Sequence, residues 1–199
     1  MYWGRRFIFI AFALFISTEL MAQGAPGEFY TRHLKTQNTG MYILGSWAVA
    51  NIATGVYGWN QYSGDTKYFH QMNVFWNAVN LGIAGLAIHN NMQIDPLTLA
   101  FEEALAEARN IEKILLINSG LDVGYIGVGF LLKHLASGSD KRMNLMTGYG
   151  NSLILQGSFL LVFDLILYGV LHAQHMNFVE GISLSMGDSY LGFGWNYRF

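Results

Sequence analysis

The sequence predicts an all-α membrane protein: four transmembrane helices arranged as two repeated helical hairpins, a long third helix extending out of the membrane, and a small C-terminal β-hairpin. Three observations predict it. Of 199 residues, 52% are hydrophobic and only 12% charged, about half the charged fraction of a soluble domain (roughly 25%). Four stretches, Met41 to Asn60, Phe69 to His89, Ile114 to Ala136 and Gly148 to His172, are each long enough to cross a bilayer. The last residues carry aromatics at period two, Phe193, Trp195, Tyr197 and Phe199.

The balance of residues also excludes several function classes. A formal charge of -2 offers no basic excess for phosphates, so nucleic acid is not an expected partner. The absence of cysteine removes disulfides, thiolate-held zinc or iron–sulfur sites, and a thiol nucleophile.

Arg5 and Arg6 precede the apolar run Phe7 to Ile16, and Leu20-Met21-Ala22 precedes Gln23. This pattern predicts a signal peptide over residues 1–22, because an apolar run of about 10 residues is too short for a 30 Å hydrocarbon core. Residues 23–40 then form an exported N-terminal segment, residues 41–175 the four-helix transmembrane bundle, and residues 176–199 the aromatic tail.

Between Met41 and Tyr62 there is no charged residue, whereas a soluble helix of that length needs a charged face. Asp95-Pro96 predicts an N-cap with proline at the first helical position. An amphipathic helix bearing Glu102, Glu103, Glu107, Arg109, Glu112 and Lys113 follows, running without a breaker into the third span. The rod from Asp95 to Ala136 would be ~60 Å long, about twice the hydrocarbon thickness. Its charged half, Asp95 to Lys113, reads as a solvated face, with a protein-docking surface as the alternative. In the tail, Phe178 to Ser185 and Tyr190 to Phe199 predict two strands around the turn Met186-Gly187-Asp188-Ser189.

Lys67, Lys133, Lys141 and Arg142 cluster at the two hairpin turns, which places those turns on the cytoplasmic side and both mature termini outside, in the cell membrane. The terminal aromatic strand keeps an outer-membrane address as the alternative. Ser63-Gly64-Asp65-Thr66-Lys67 is echoed by Ser137-Gly138-Ser139-Asp140-Lys141, which suggests a duplicated helix pair.

Polar residues inside the apolar spans are the candidate site. His70, Asn73, Asn77 and Asn80 recur three, four and three apart, one stripe of a helix. Asn118, Asp122 and Tyr125 share a face of the third span, with Gly120 and Gly124 on the opposite face as a close-packing pair. The fourth span carries Gln156 and Asp164, and depth along the helices puts Asn51, Asn80, Asp122 and Asp164 at one level. With no Lys or Arg in the spans except Lys133 at the turn end of the third, each carboxyl group must be protonated or hydrogen-bonded, which makes it a functional-site candidate or a fold determinant.

The runs Tyr68-Phe69-His70-Gln71-Met72-Asn73 with Trp76-Asn77, Leu121-Asp122-Val123-Gly124-Tyr125, and Gln156-Gly157-Ser158-Phe159-Leu160 with Phe163-Asp164 carry a further signal. Over about residues 40–172 the chain is similar to a family of small multi-helix membrane proteins of unknown function. The resemblance implies that Asp122, Gln156 and Asp164 belong to the family's motifs without saying what they do.

Six histidines permit a haem or metal centre, with His70 and His134 near the inner side and His89, His172 and His175 near the outer. Spacing nominates no metal ligand set and no catalytic residue. The expected role is therefore a non-enzymatic binding, transport-related or scaffolding component of the lipid bilayer. The alternatives are a membrane-embedded enzyme or haem electron carrier, and a subunit that docks a protein partner through Asp95 to Lys113.

Overall fold

A computed structural model describes residues 26–187, with four helices in this order: α1 (Pro26–Gln61), α2 (Gly64–Asn91), α3 (Phe101–His134) and α4 (Asp140–Gly187). The predicted signal peptide and the second predicted strand lie outside the described residues.

Each helix buries one stripe. On α1, Leu34, Gln37, Leu44, Ala48 and Asn51 are buried at spacings that follow the 3.6-residue turn. On α2 the buried set is Asn73, Asn77, Asn80 and Ala84, so the amide stripe points inward as its spacing predicts. α1 and α2 form one hairpin, α3 and α4 a second, and α4 packs against all three other helices.

The two turns share a local solution. Gly64 (φ +63°) and Gly138 (φ +96°) both adopt the left-handed conformation that favours glycine, which is why a Ser-Gly pair stands at each reversal. Two further glycines let α3 and α4 touch backbone to backbone: a Cβ on Gly129 would meet the Gly150 carbonyl at 2.7 Å, and one on Gly150 the Gly129 carbonyl at 2.6 Å.

Several expectations are corrected. The C-terminal β-hairpin is absent among the described residues: Phe178 to Ser185 belong to α4. Leu167, Leu171, His175 and Phe178 are all buried, so the inward stripe of α4 simply continues, and packing outweighs the β-propensity of the segment. The four transmembrane helices are corrected to two: among the described residues, only α3 and α4 are long and apolar enough to cross a membrane. The physical reason lies in α1 and α2, where missing charges are replaced by uncharged amides, hydroxyls and glycines that lower apolarity as well.

The third helix is shorter than predicted. Asp95 caps a turn instead, accepting from the Leu97 N–H at 3.1 Å, and α3 starts at Phe101, where the Glu103 carboxylate accepts from the Ala100 N–H at 3.1 Å. α3 therefore spans about 51 Å at 1.5 Å per residue. Its start does not project alone: Ala104, Leu105 and Ala108 pack with Phe29, Tyr30 and Leu34 of α1 and Phe178 of α4. Glu102, Glu103, Glu107, Arg109 and Lys113 remain exposed on its other side. Finally, nothing lies within 4 Å of a Cβ built on Gly120 or Gly124, so that pair faces outward and Gly129 makes the close approach instead.

Candidate functional site

Two polar constellations lie inside the bundle. The first is centred on Gln156 of α4, which is fully buried. Its side-chain nitrogen donates to Asn51 Oδ1 of α1 at 3.2 Å and to Asn73 Oδ1 of α2 at 3.1 Å. Its oxygen accepts from the Trp47 indole at 3.0 Å. Asn73 Oδ1 also accepts from Ser152 Oγ at 2.6 Å, and the Trp47 ring stacks on Phe159 with centroids 3.9 Å apart. One glutamine thus ties α4 to both helices of the other hairpin. A buried amide left without a partner would cost about 1–3 kcal/mol, so the network is mutually enforcing.

Asp122 of α3 and Asp164 of α4, both buried, direct their carboxyl groups at each other within hydrogen-bond reach. A bond between two carboxyl groups needs a proton between them. Asp122 Oδ2 has no partner, and neither do Asn77 Oδ1 or Asn80 Nδ2. Asn51 stands with Gln156, about 12 Å along α4 from Asp164 at 1.5 Å per residue. The single polar level expected from depth alone is therefore resolved into two. Asn118 and Tyr125 are half-buried, and the Tyr125 ring meets the edge of Trp76 at 4.7 Å. His70 lies apart from the Gln156 hydrogen bonds, stacked on Tyr62 at 5.5 Å with Gly58 pressed against its ring.

A family model described as a family of unknown function matches residues 43–165. The chain belongs to that family, DUF6992. The match agrees with the resemblance read from the sequence, and the family segment contains Asn51, the asparagines of α2, Asp122, Gln156 and Asp164. No curated protein and no solved structure matches the chain.

The second constellation has most of its residues outside the segment matched to DUF6992. Glu112 of α3 accepts from or pairs with His172 Nδ1 at 2.8 Å through one oxygen and His175 Nδ1 at 2.7 Å through the other. The three donor atoms lie within 4.8 Å of one another. His33 of α1 is completely buried, its ring against Phe29 and Tyr30, and neither of its nitrogens has a partner. Burial pushes its pKa down to about 4, while the Glu112 carboxylate pulls upward and His175 adds to the lowering. His33 is thus a neutral imidazole at pH 7.

Sequence reasoning missed this cluster. Glu112 reads as one charge in a solvated run, and His33 lies in a segment with no apolar span to organise it. The legible signal is the His172–His175 spacing, which puts both rings on one helical face. His89, the other outer histidine of the haem alternative, is exposed and hydrogen-bonds Gln93 at 2.8 Å.

Proposed function

We propose that this protein is a non-enzymatic integral membrane component. In this reading the α3–α4 hairpin crosses the bilayer, α1 and α2 pack along it, and the polar interior around Asp122 and Asp164 binds a small polar solute. The observation that carries the membrane part is an inverted distribution of polarity. On α3 and α4, Ile117, Leu121, Val123, Phe130, Leu131, Val162 and Leu165 are exposed, whereas Asn51, Asn73, Asn77, Asp122, Gln156 and Asp164 are buried inside the bundle. A water-solvated bundle has little reason to cover amides while leaving so many large apolar side chains bare, since large apolar patches on a soluble protein mark an interface. Lipid makes that exterior favourable and drives the amides inward to find partners.

The solute part rests on the unpartnered Asp122 Oδ2, Asn77 Oδ1 and Asn80 Nδ2, since a buried polar atom without a partner calls for a water or ligand. Lys67, Lys133, Lys141 and Arg142 flank the two turns, which favours those turns facing the cytoplasm, with the Glu112 end outside.

Fractionation tests the membrane reading directly. Expressed full-length, the chain should pellet with membranes, resist alkaline carbonate and enter solution only with detergent. Recovery as a monodisperse monomer in detergent-free buffer would overturn it.

A further inference from the structure

We propose that Glu112, His172 and His175, with His33 as the fourth donor, form a site for a divalent transition ion of the zinc class at the charged end of the bundle. Nothing in the membrane reading requires this site, and the two stand or fall separately.

The donor chemistry selects the ion. Three imidazoles and one carboxylate, with no thiolate, suit zinc and its first-row neighbours. Magnesium and calcium prefer sets made of oxygen alone. The geometry is nearly in place. Tetrahedral donors about 2.0–2.2 Å from zinc stand about 3.3–3.5 Å apart, and the Glu112, His172 and His175 donor atoms already lie within 4.8 Å of one another. Coordination takes neutral imidazoles, so the proton each Nδ1 shares with Glu112 passes to the other ring nitrogen or to solvent.

An independent observation comes from the neighbouring helix. His33 is completely buried with both nitrogens unpartnered, and its ring and that of His175 both pack against Phe29, with centroids 5.7 and 6.5 Å from it. The rings of Phe29 and Tyr30 offer its nitrogens nothing. A buried imidazole with both nitrogens unmet calls for an ordered water or an ion as partner. The ion would tie α1, α3 and α4 together at the end where the loop Met92 to Ala100 leaves α2 behind.

The test uses the full-length chain in detergent micelles, stripped with a chelator and titrated with zinc, and with cobalt as the spectroscopic stand-in. One ion per chain is expected, with the intense visible absorption of tetrahedral cobalt. His172→Ala should weaken binding about 10-fold or more; the His172 side chain is 44% exposed, so its loss spares the core. His33→Phe retains the ring packing and deletes both nitrogens, and it should weaken binding about as much. His134→Ala, exposed at the opposite end, should change nothing. Absence of saturable one-to-one binding, or unchanged affinity in His172→Ala, overturns the site. Unchanged affinity in His33→Phe alone overturns the fourth donor, an ordered water then being its partner. Should His33→Phe not fold, His172→Ala decides the matter.

Discussion

Phe29 and Phe178 lie ring on ring, their centroids 4.3 Å apart and their planes 4° from parallel. This stack joins the beginning of α1 to the end of α4, residues almost as far apart in sequence as the described chain allows. It also places Phe178 on the inward stripe of a helix, where an alternating strand would turn every second residue away.

Phe178→Ala should remove that stack and open a cavity beside Ala104, Leu105 and Ala108, costing about 3 kcal/mol. Hydrogen exchange should rise at residues 29–34 and 104–108 and stay unchanged at the two hairpin turns. A uniform rise across all four helices would show instead that the end of the bundle is no separate cooperative unit.

Gln156→Leu should be strongly destabilising. It strands the Trp47 indole and takes one partner each from Asn51 and Asn73. Interhelical hydrogen bonds in membranes are worth about 0.6–2 kcal/mol each, so a loss of about 2–4 kcal/mol is expected in reversible denaturation from micelles. A loss below about 0.5 kcal/mol would mean that the network is incidental to the packing of α4 on α1 and α2.

The glycines divide into two groups that composition cannot separate. Gly150→Ala drives a methyl group against the Gly129 carbonyl and should cost about 1–3 kcal/mol as α3 and α4 are forced apart. Gly124→Ala meets nothing within 4 Å and should be neutral or slightly stabilising, since alanine favours the helix by about 1 kcal/mol. Thermal unfolding of the two variants side by side checks the sign of each. Equal effects would contradict the crossing described for α3 and α4.

Asp122 and Asp164 should tolerate asparagine one at a time, because an amide can donate to the carboxyl group that remains. Asp164→Leu removes Asp122's facing partner in the interior and should cost about 1–3 kcal/mol. The double change Asp122→Leu with Asp164→Leu should recover part of that loss. Calorimetry or denaturation of the parent chain, Asp122→Leu, Asp164→Leu and the double variant forms a cycle, and strict additivity would show that the two carboxyl groups do not interact.

What the sequence determined by itself is local and periodic. The inward stripe Asn73, Asn77, Asn80 follows from helical spacing, the reversals at Ser63-Gly64 and Ser137-Gly138 from glycine's freedom at positive φ, and the family from motif runs such as Leu121 to Tyr125. Missing charge marked the first two helices as spans, but counting charges overlooks the polarity of amides and hydroxyls. Among the described residues, only α3 and α4 keep the length and apolarity a crossing requires.

The tertiary structure decided whatever depends on which helix lies next to which. Phe178 to Ser185 reads as a strand until Phe29 supplies Phe178 with a partner on a helical face. Gly120 and Gly124 look like a contact surface until Gly129 is found against Gly150. Glu112 is one solvated charge among several until α4 brings His172 and His175 to it, and His33 carries no signal until α1 buries it beside them. Spacing along a helix sets which side chains share a face, but their partners come from other helices, from 21 positions away for Gly129 and Gly150 to 149 for Phe29 and Phe178. Contacts at that range are chosen by the fit and the unmet hydrogen bonds of whole faces, a property no local window of sequence contains.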